Sequence, residues 1–179
     1  MSLLLLIGGA RSGKSRLAAD IAAEWGGPVT VIATGEARDD EMAERIRMHR
    51  ERRPRSWTTI EEPVELEAAL GAVPDEALAV VDCLTLWVSN LIEKGLRDDE
   101  IEGRARSAAS VAAARGNDTV VVTNEVGSGI VPPNALARRY RDLLGNVNSI
   151  WAEHSDRSAL VVAGQILPLS DLTAIRGKQ

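Results

Sequence analysis

Residues 45 to 55 read RIRMHRERRPR, six arginines around His49, which is one of only two histidines in the chain. A neutral imidazole among guanidinium groups is equipped for phosphoryl chemistry. The neighbouring positive charges disfavour imidazolium and keep the ring nucleophilic near neutral pH. The same arginines can hold the phosphates under attack and the pyrophosphate that leaves. Attack on an α-phosphorus would give a nucleotidyl-histidine and split one difficult transfer into two. A plainer reading stands beside this one. On a helix Met42, Ile46 and His49 follow the i, i+4, i+7 pattern, so the histidine could be a half-buried packing residue with solvated arginines around it.

Such a histidine needs a triphosphate, and GGARSGKS (8–15) supplies the place for one. It fits GxxxxGK(S/T), with the apolar run LLLLI (3–7) before it and a helical stretch (13–25) after it. Gly8, Gly9, Ala10, Arg11, Ser12 and Gly13 would wrap backbone N–H groups around phosphate oxygens at a helix N-terminus. Lys14 would reach the β- and γ-phosphates, and Ser15 would hold Mg²⁺. Asp82 ends the apolar stretch ALAVV (77–81) and is the acid expected at a strand's carboxyl end to organise that Mg²⁺. Asn124 and Glu125 close TVVVT (119–123) in the same manner. No NKxD motif marks guanine as the base. His154 stands near a helix end beside Glu153 and reads as a C-terminal dipole or surface residue.

VTVIA (29–33) and ALVVA (159–163) join the three runs above as buried strands, and SWTTI (56–60) could add a short edge strand. Their apolar residues do not alternate strictly, as expected of parallel strands covered on both faces. Helical spacing occupies 39–53, 63–71 (with Pro63 at a first helical position), 98–115 and 134–153. The expected fold is therefore a single α/β domain over residues 1–179, a P-loop-type, mostly parallel sheet with helices on both faces. No repeat, low-complexity tract or linker interrupts it. Formal charge is −5, which argues against general nucleic-acid affinity, and the lone Cys83 excludes an internal disulfide. The opening MSLLLLIGG is too short and too poor in basic residues for a signal peptide or a membrane span, so a cytoplasmic protein is expected. Aromatics are scarce; Trp57 and Trp87 are the candidates for a stacking surface.

In one order and at similar spacing, GGARSGKSR (8–16), IAT (32–34), DDEMAERI followed by His49 and by RP (39–54), and TNEVGSGIVP with LARRYRDLLGNVN (123–148) resemble the adenosylcobinamide kinase / adenosylcobinamide-phosphate guanylyltransferase family of cobalamin biosynthesis. The resemblance implies a P-loop homotrimer with two reactions. A nucleoside triphosphate (ATP or GTP) phosphorylates the aminopropanol hydroxyl of adenosylcobinamide. GTP then guanylylates a histidine, and GMP passes to the phosphorylated corrinoid, giving adenosylcobinamide-GDP and pyrophosphate. It further implies that His49 is the guanylylated residue and that Gly8 to Ser15 form the phosphate loop. Ala33, Thr34 and Gly35 match a nucleotide-contacting strand end. Arg50, Glu51, Arg52 and Arg53 match a GTP-contacting stretch, and Glu61 and Asp82 match acidic positions near the nucleotide. Some relatives carry two adjacent histidines where this chain has Met48 and a single His49. A kinase of another metabolite with a structural His49, or a nucleotide-binding regulatory protein, are the rival readings.

Overall fold

The computed structural model describes residues 3–51 and 53–170. In chain order these form β1 (Leu3–Gly8), α1 (Lys14–Glu24), β2 (Val29–Ala33), α2 (Asp40–Glu51), β3 (Thr58–Glu61), α3 (Leu66–Ala72), β4 (Leu78–Asp82), α4 (Leu84–Glu93), α5 (Asp98–Ala114), β5 (Thr119–Asn124), α6 (Ala135–His154), β6 (Arg157–Val162) and β7 (Gln165–Leu169). The strands make one sheet in the order β3-β2-β4-β5-β1-β6-β7. All neighbours run parallel except β7, which pairs antiparallel with β6.

The unbroken apolar runs are explained by two cores, one on each face. Leu3, Leu5, Ala79, Val81 and Val121 face a core built with α3, α4, α5 and α6. Their sequence neighbours Leu4, Leu6, Leu78, Val80, Val120 and Val122 face the other core, where α1 contributes Ala18 and Ala22. Each side chain of a central strand is thus buried whichever way it points, stabilising the fold by roughly 1.5–3 kcal/mol per Leu or Val.

The elements depart from the sequence reading at three points. Residues 84–93 are a helix that no turn signal announced, because α4 follows β4 directly and is buried almost all round. Pro63 does not open α3: the Glu62 carboxylate accepts from the N–H groups of Val64 and Glu65, at 3.0 and 2.9 Å, and the helix starts at Leu66. The sixth strand turns at Ala163 and Gly164, both with positive φ, into the edge strand β7. Two left-handed residues in a two-residue turn suit the twist of an antiparallel pair. The edge strand carries Pro168, which a central strand would not tolerate. The expected edge strand at SWTTI is present as β3.

One consequence of the strand order governs the site. Gly8 is paired with Asn124, Asp82 with Val122, and Ala33 with Asp82. The carboxyl ends of β1, β5, β4 and β2 therefore lie along one edge of the sheet, with β5 separating the glycine-loop strand from the strand that carries Asp82.

Candidate active site

The glycine loop leaves β1 at Gly8 and enters α1 at Lys14. Its turn needs left-handed backbone at Arg11 (φ 55°) and Gly13 (φ 107°), and Ser12 N–H closes it on the Gly9 carbonyl at 3.3 Å. The β6–β7 turn buttresses it from outside, with Gly164 N–H donating to the Ser12 carbonyl at 2.8 Å. Lys14 is only 6% exposed. Its ammonium lies over the loop, donating to the Gly9 carbonyl at 2.7 Å and reaching Ser12 Oγ at 3.4 Å. Burial holds the Lys14 pKa below the usual lysine value, against the opposing pull of Cys83 and Asp82. The first turn of α1 carries no acidic residue, so nothing there competes with an incoming anion.

Asp82 is the hub. Its Oδ1 accepts from the Ser15 hydroxyl at 3.4 Å. Its Oδ2 lies 3.2 Å from the Arg53 guanidinium and 3.6 Å from His49 Nδ1. Burial alone would raise the carboxyl pKa, but His49, Arg53 and Ser15 together hold it below the usual aspartate value. The following peptide, Asp82–Cys83, is cis. Burial pushes the Cys83 thiol up to about 11, with Asp82 adding to the rise, so at neutral pH this cysteine is a packing residue and not a nucleophile.

The second helix brings His49 to this carboxylate. No residue of α2 is fully buried, and Met42, Ile46 and His49 form its half-buried stripe, as the spacing predicts. Ile46 packs within 3.5 Å of where a β-carbon on Gly35 would sit. The arginines divide. Arg53 is drawn inward to Asp82, its side chain 13% exposed. Arg50 pairs with Glu61 at the end of β3. Arg47 is 55% exposed and is held between Glu44 and Glu51 on its own helix, so it faces solvent. Glu51 is thereby engaged as a partner of Arg47. Arg52 lies outside the described residues.

Other sequence candidates fall differently. Thr34 is fully buried, and its hydroxyl is engaged twice by Cys83, donating to the carbonyl at 2.6 Å and accepting from the N–H at 2.9 Å. It therefore braces the turn after Asp82. Asn124 and Glu125 also shape backbone: Asn124 N–H donates to Thr85 Oγ1 at 2.8 Å, and Glu125 N–H to the Gly8 carbonyl at 3.0 Å. Trp87 is a core residue whose indole N–H donates to the Val64 carbonyl at 2.8 Å, so it offers no stacking surface, and Trp57 packs half-buried against the second core. His154, last in α6, contacts the Ile150 carbonyl at 2.8 Å through Nδ1, a helix-end role.

No motif singled out Asn90. Its buried amide donates to the carbonyls of Thr34 (2.8 Å) and Pro63 (3.0 Å), while its oxygen accepts from Arg38 at 2.7 Å. It ties the ends of β2 and β3 to α4. Only an unexplained asparagine in an otherwise apolar run could have hinted at this.

Among the described residues, no group of three or more His, Cys, Asp or Glu side chains could cage a metal ion. The oxygens of Ser15 and Asp82, 3.4 Å apart, instead suit Mg²⁺, which prefers hard oxygen donors and takes most of its shell from phosphates and water.

A buried lysine over a glycine loop, with a strand-end carboxylate reaching the serine that follows, defines this chain as a P-loop nucleotide-binding α/β protein. Solved structures agree on the fold. A KaiC-like protein of Pyrococcus horikoshii OT3 superposes with a TM-score of 0.51 at 14% identity, covering 89% of this chain and 70% of that one. An ATPase of the type III secretion system of pathogenic bacteria superposes with a TM-score of 0.54 at 13% identity, covering 98% and 60%. Sequence comparison is more specific. Residues 4–169 match the family described as cobinamide kinase / cobinamide phosphate guanyltransferase, and the chain belongs to that family. The bifunctional adenosylcobalamin biosynthesis protein CobP of Pseudomonas aeruginosa is 44% identical over 168 residues, covering 92% of this chain and 95% of the relative. CobU of Salmonella typhimurium, a protein of the same description, is 39% identical over 181 residues, covering 90% and 96%.

Proposed function

We propose that this chain is a bifunctional enzyme that phosphorylates adenosylcobinamide from a nucleoside triphosphate and then, with GTP, converts the product to adenosylcobinamide-GDP through a guanylyl group carried on His49. The observation that carries this reading is the sharing of Asp82 between Ser15 of the glycine loop and His49 of α2. A solvated helix face would have no reason to aim its only histidine at the carboxylate that Ser15 also reaches.

In this reading Gly8 to Gly13 wrap the phosphates, Lys14 leaves its carbonyl partner for them, and Ser15 and Asp82 hold Mg²⁺, which when bound neutralises phosphate charge. Ala33, Thr34 and Gly35 at the end of β2 contact the nucleotide, and Glu61 positions Arg50. Arg50, Arg52 and Arg53 neutralise the pyrophosphate that leaves. The chain acts as one domain over residues 1–179, as a homotrimer in the cytoplasm. No described helix is long and apolar enough to cross a membrane.

The test is to incubate the protein with Mg²⁺ and GTP labelled at the α-phosphate. Covalent label that survives base, is lost in acid and disappears in His49→Ala supports the reading. Bound GTP without covalent label in the wild type would leave a kinase or a nucleotide-binding protein with a structural His49.

A further inference from the structure

His49 has two ring nitrogens, and the fold treats them differently. Nδ1 faces Asp82 Oδ2 at 3.6 Å, and the side chain as a whole is 44% exposed. A flipped ring would set a carbon against that carboxylate. From this geometry we infer, resting on the guanylyl-histidine reading above, that Asp82 is a positioning residue for His49: it keeps the proton on Nδ1, so that Nε2 alone carries the lone pair and receives the GMP.

Two physical arguments converge. An α-phosphate is anionic, and a nitrogen whose lone-pair direction is occupied by a carboxylate cannot be approached by another anion without strong like-charge repulsion. The nitrogen that hydrogen-bonds or ion-pairs with a carboxylate sets the tautomer, leaving the other as the base or nucleophile. Asp82 can do this without releasing Ser15 because it divides its oxygens. Oδ1 serves Ser15, and Oδ2 serves His49 and Arg53.

The step balances simply. The Nε2 lone pair forms the N–P bond as the bond from the α-phosphorus to the bridging oxygen breaks, and pyrophosphate takes that electron pair. The ring becomes cationic with its proton still on Nδ1, opposite Asp82 Oδ2. A phosphate oxygen of the phosphorylated corrinoid then attacks phosphorus, the N–P bond breaks, and the pair returns to Nε2. No proton leaves the imidazole in either half.

Protein carrying ¹⁵N-histidine distinguishes the two nitrogens. In the nucleotide-free wild type, imidazole ¹⁵N shifts should report neutral His49 as the Nδ1–H tautomer. In Asp82→Ala, shown by thermal melting to be folded, they should move to the Nε2–H tautomer that free imidazole favours. After reaction with GTP and a basic quench, ³¹P–¹⁵N coupling should appear at Nε2 only. An Nδ1-linked adduct, a mixture of isomers, or an Nε2–H tautomer in the wild type would overturn the inference and leave the guanylyl-histidine reading standing. Bound GTP with no adduct on His49 would overturn both.

Discussion

The backbone carbonyl oxygen of Val161 stands 2.2 Å from where a β-carbon on Gly8 would be, and Ser12 Oγ stands 2.9 Å from the same point. The first glycine of the loop is therefore required by the packing of β1 on β6 before any nucleotide arrives. The next glycine is not: a β-carbon on Gly9 would meet nothing within 4 Å. Gly8→Ala should lose about 2 kcal/mol or more of stability through overpacking against rigid backbone. Gly9→Ala should stay within about 0.5 kcal/mol of wild type. Denaturant unfolding of the two variants makes the comparison, and equal stabilities would refute it.

The arginines around His49 should separate in the same way that they do in space. Arg53→Ala removes the guanidinium beside Asp82 and should slow covalent labelling by GTP on the order of 100-fold, the scale for losing one charged transition-state donor. Arg47→Ala breaks only exposed pairs with Glu44 and Glu51 and should leave the rate within about twofold. Rapid-quench measurement of label formation decides. Equal losses would mean that the cluster acts as a diffuse positive field.

Asn90 is expected to matter for stability first. Asn90→Ala would leave the Thr34 and Pro63 carbonyls without their donor and open a small void, costing about 2–3 kcal/mol. Urea titration measures it. A near-neutral result would mean that water replaces the amide at both carbonyls.

The half-buried thiol of Cys83 predicts an alkaline weakness. Cys83 ionises at about 11 in the fold, above its ordinary value of 9.0. A raised thiol pKa means that folding favours the neutral form. That contribution is fully present below pH 9 and is lost as pH rises from 9 to about 11, where the unfolded chain has already released its proton. The two-unit difference corresponds to about 2–3 kcal/mol. In Cys83→Ala the fall in melting temperature across that pH range should be shallower than in the wild type. The burial that raises the Tyr140 pKa leaves some alkaline loss in both proteins. Parallel curves would show that the thiol does not titrate this way.

Much of this protein is local and therefore legible in one dimension. The glycine loop is contiguous, and its strand-before, helix-after context is set by neighbouring residues. The half-burial of Met42, Ile46 and His49 follows from helical period alone. Apolar runs marked the central strands because both faces of the sheet are covered. The meeting of Ser15 and Asp82, 67 positions apart, was legible too, because a P-loop serine and a strand-end acid are expected on one sheet edge. What sequence could not decide is where α2 comes to rest, and so that His49 and Arg53 reach the other oxygen of Asp82. The same long-range packing joins the Thr34 hydroxyl to the Cys83 backbone, and buries Trp87. It also makes Asn90 the tie between two strand ends and a helix whose apolar surround hid its period. Residue types and spacing determined what chemistry this chain could do; the tertiary fold decided which nitrogen, which arginine and which serine stand against which oxygen of Asp82, because those contacts depend on packing between distant segments.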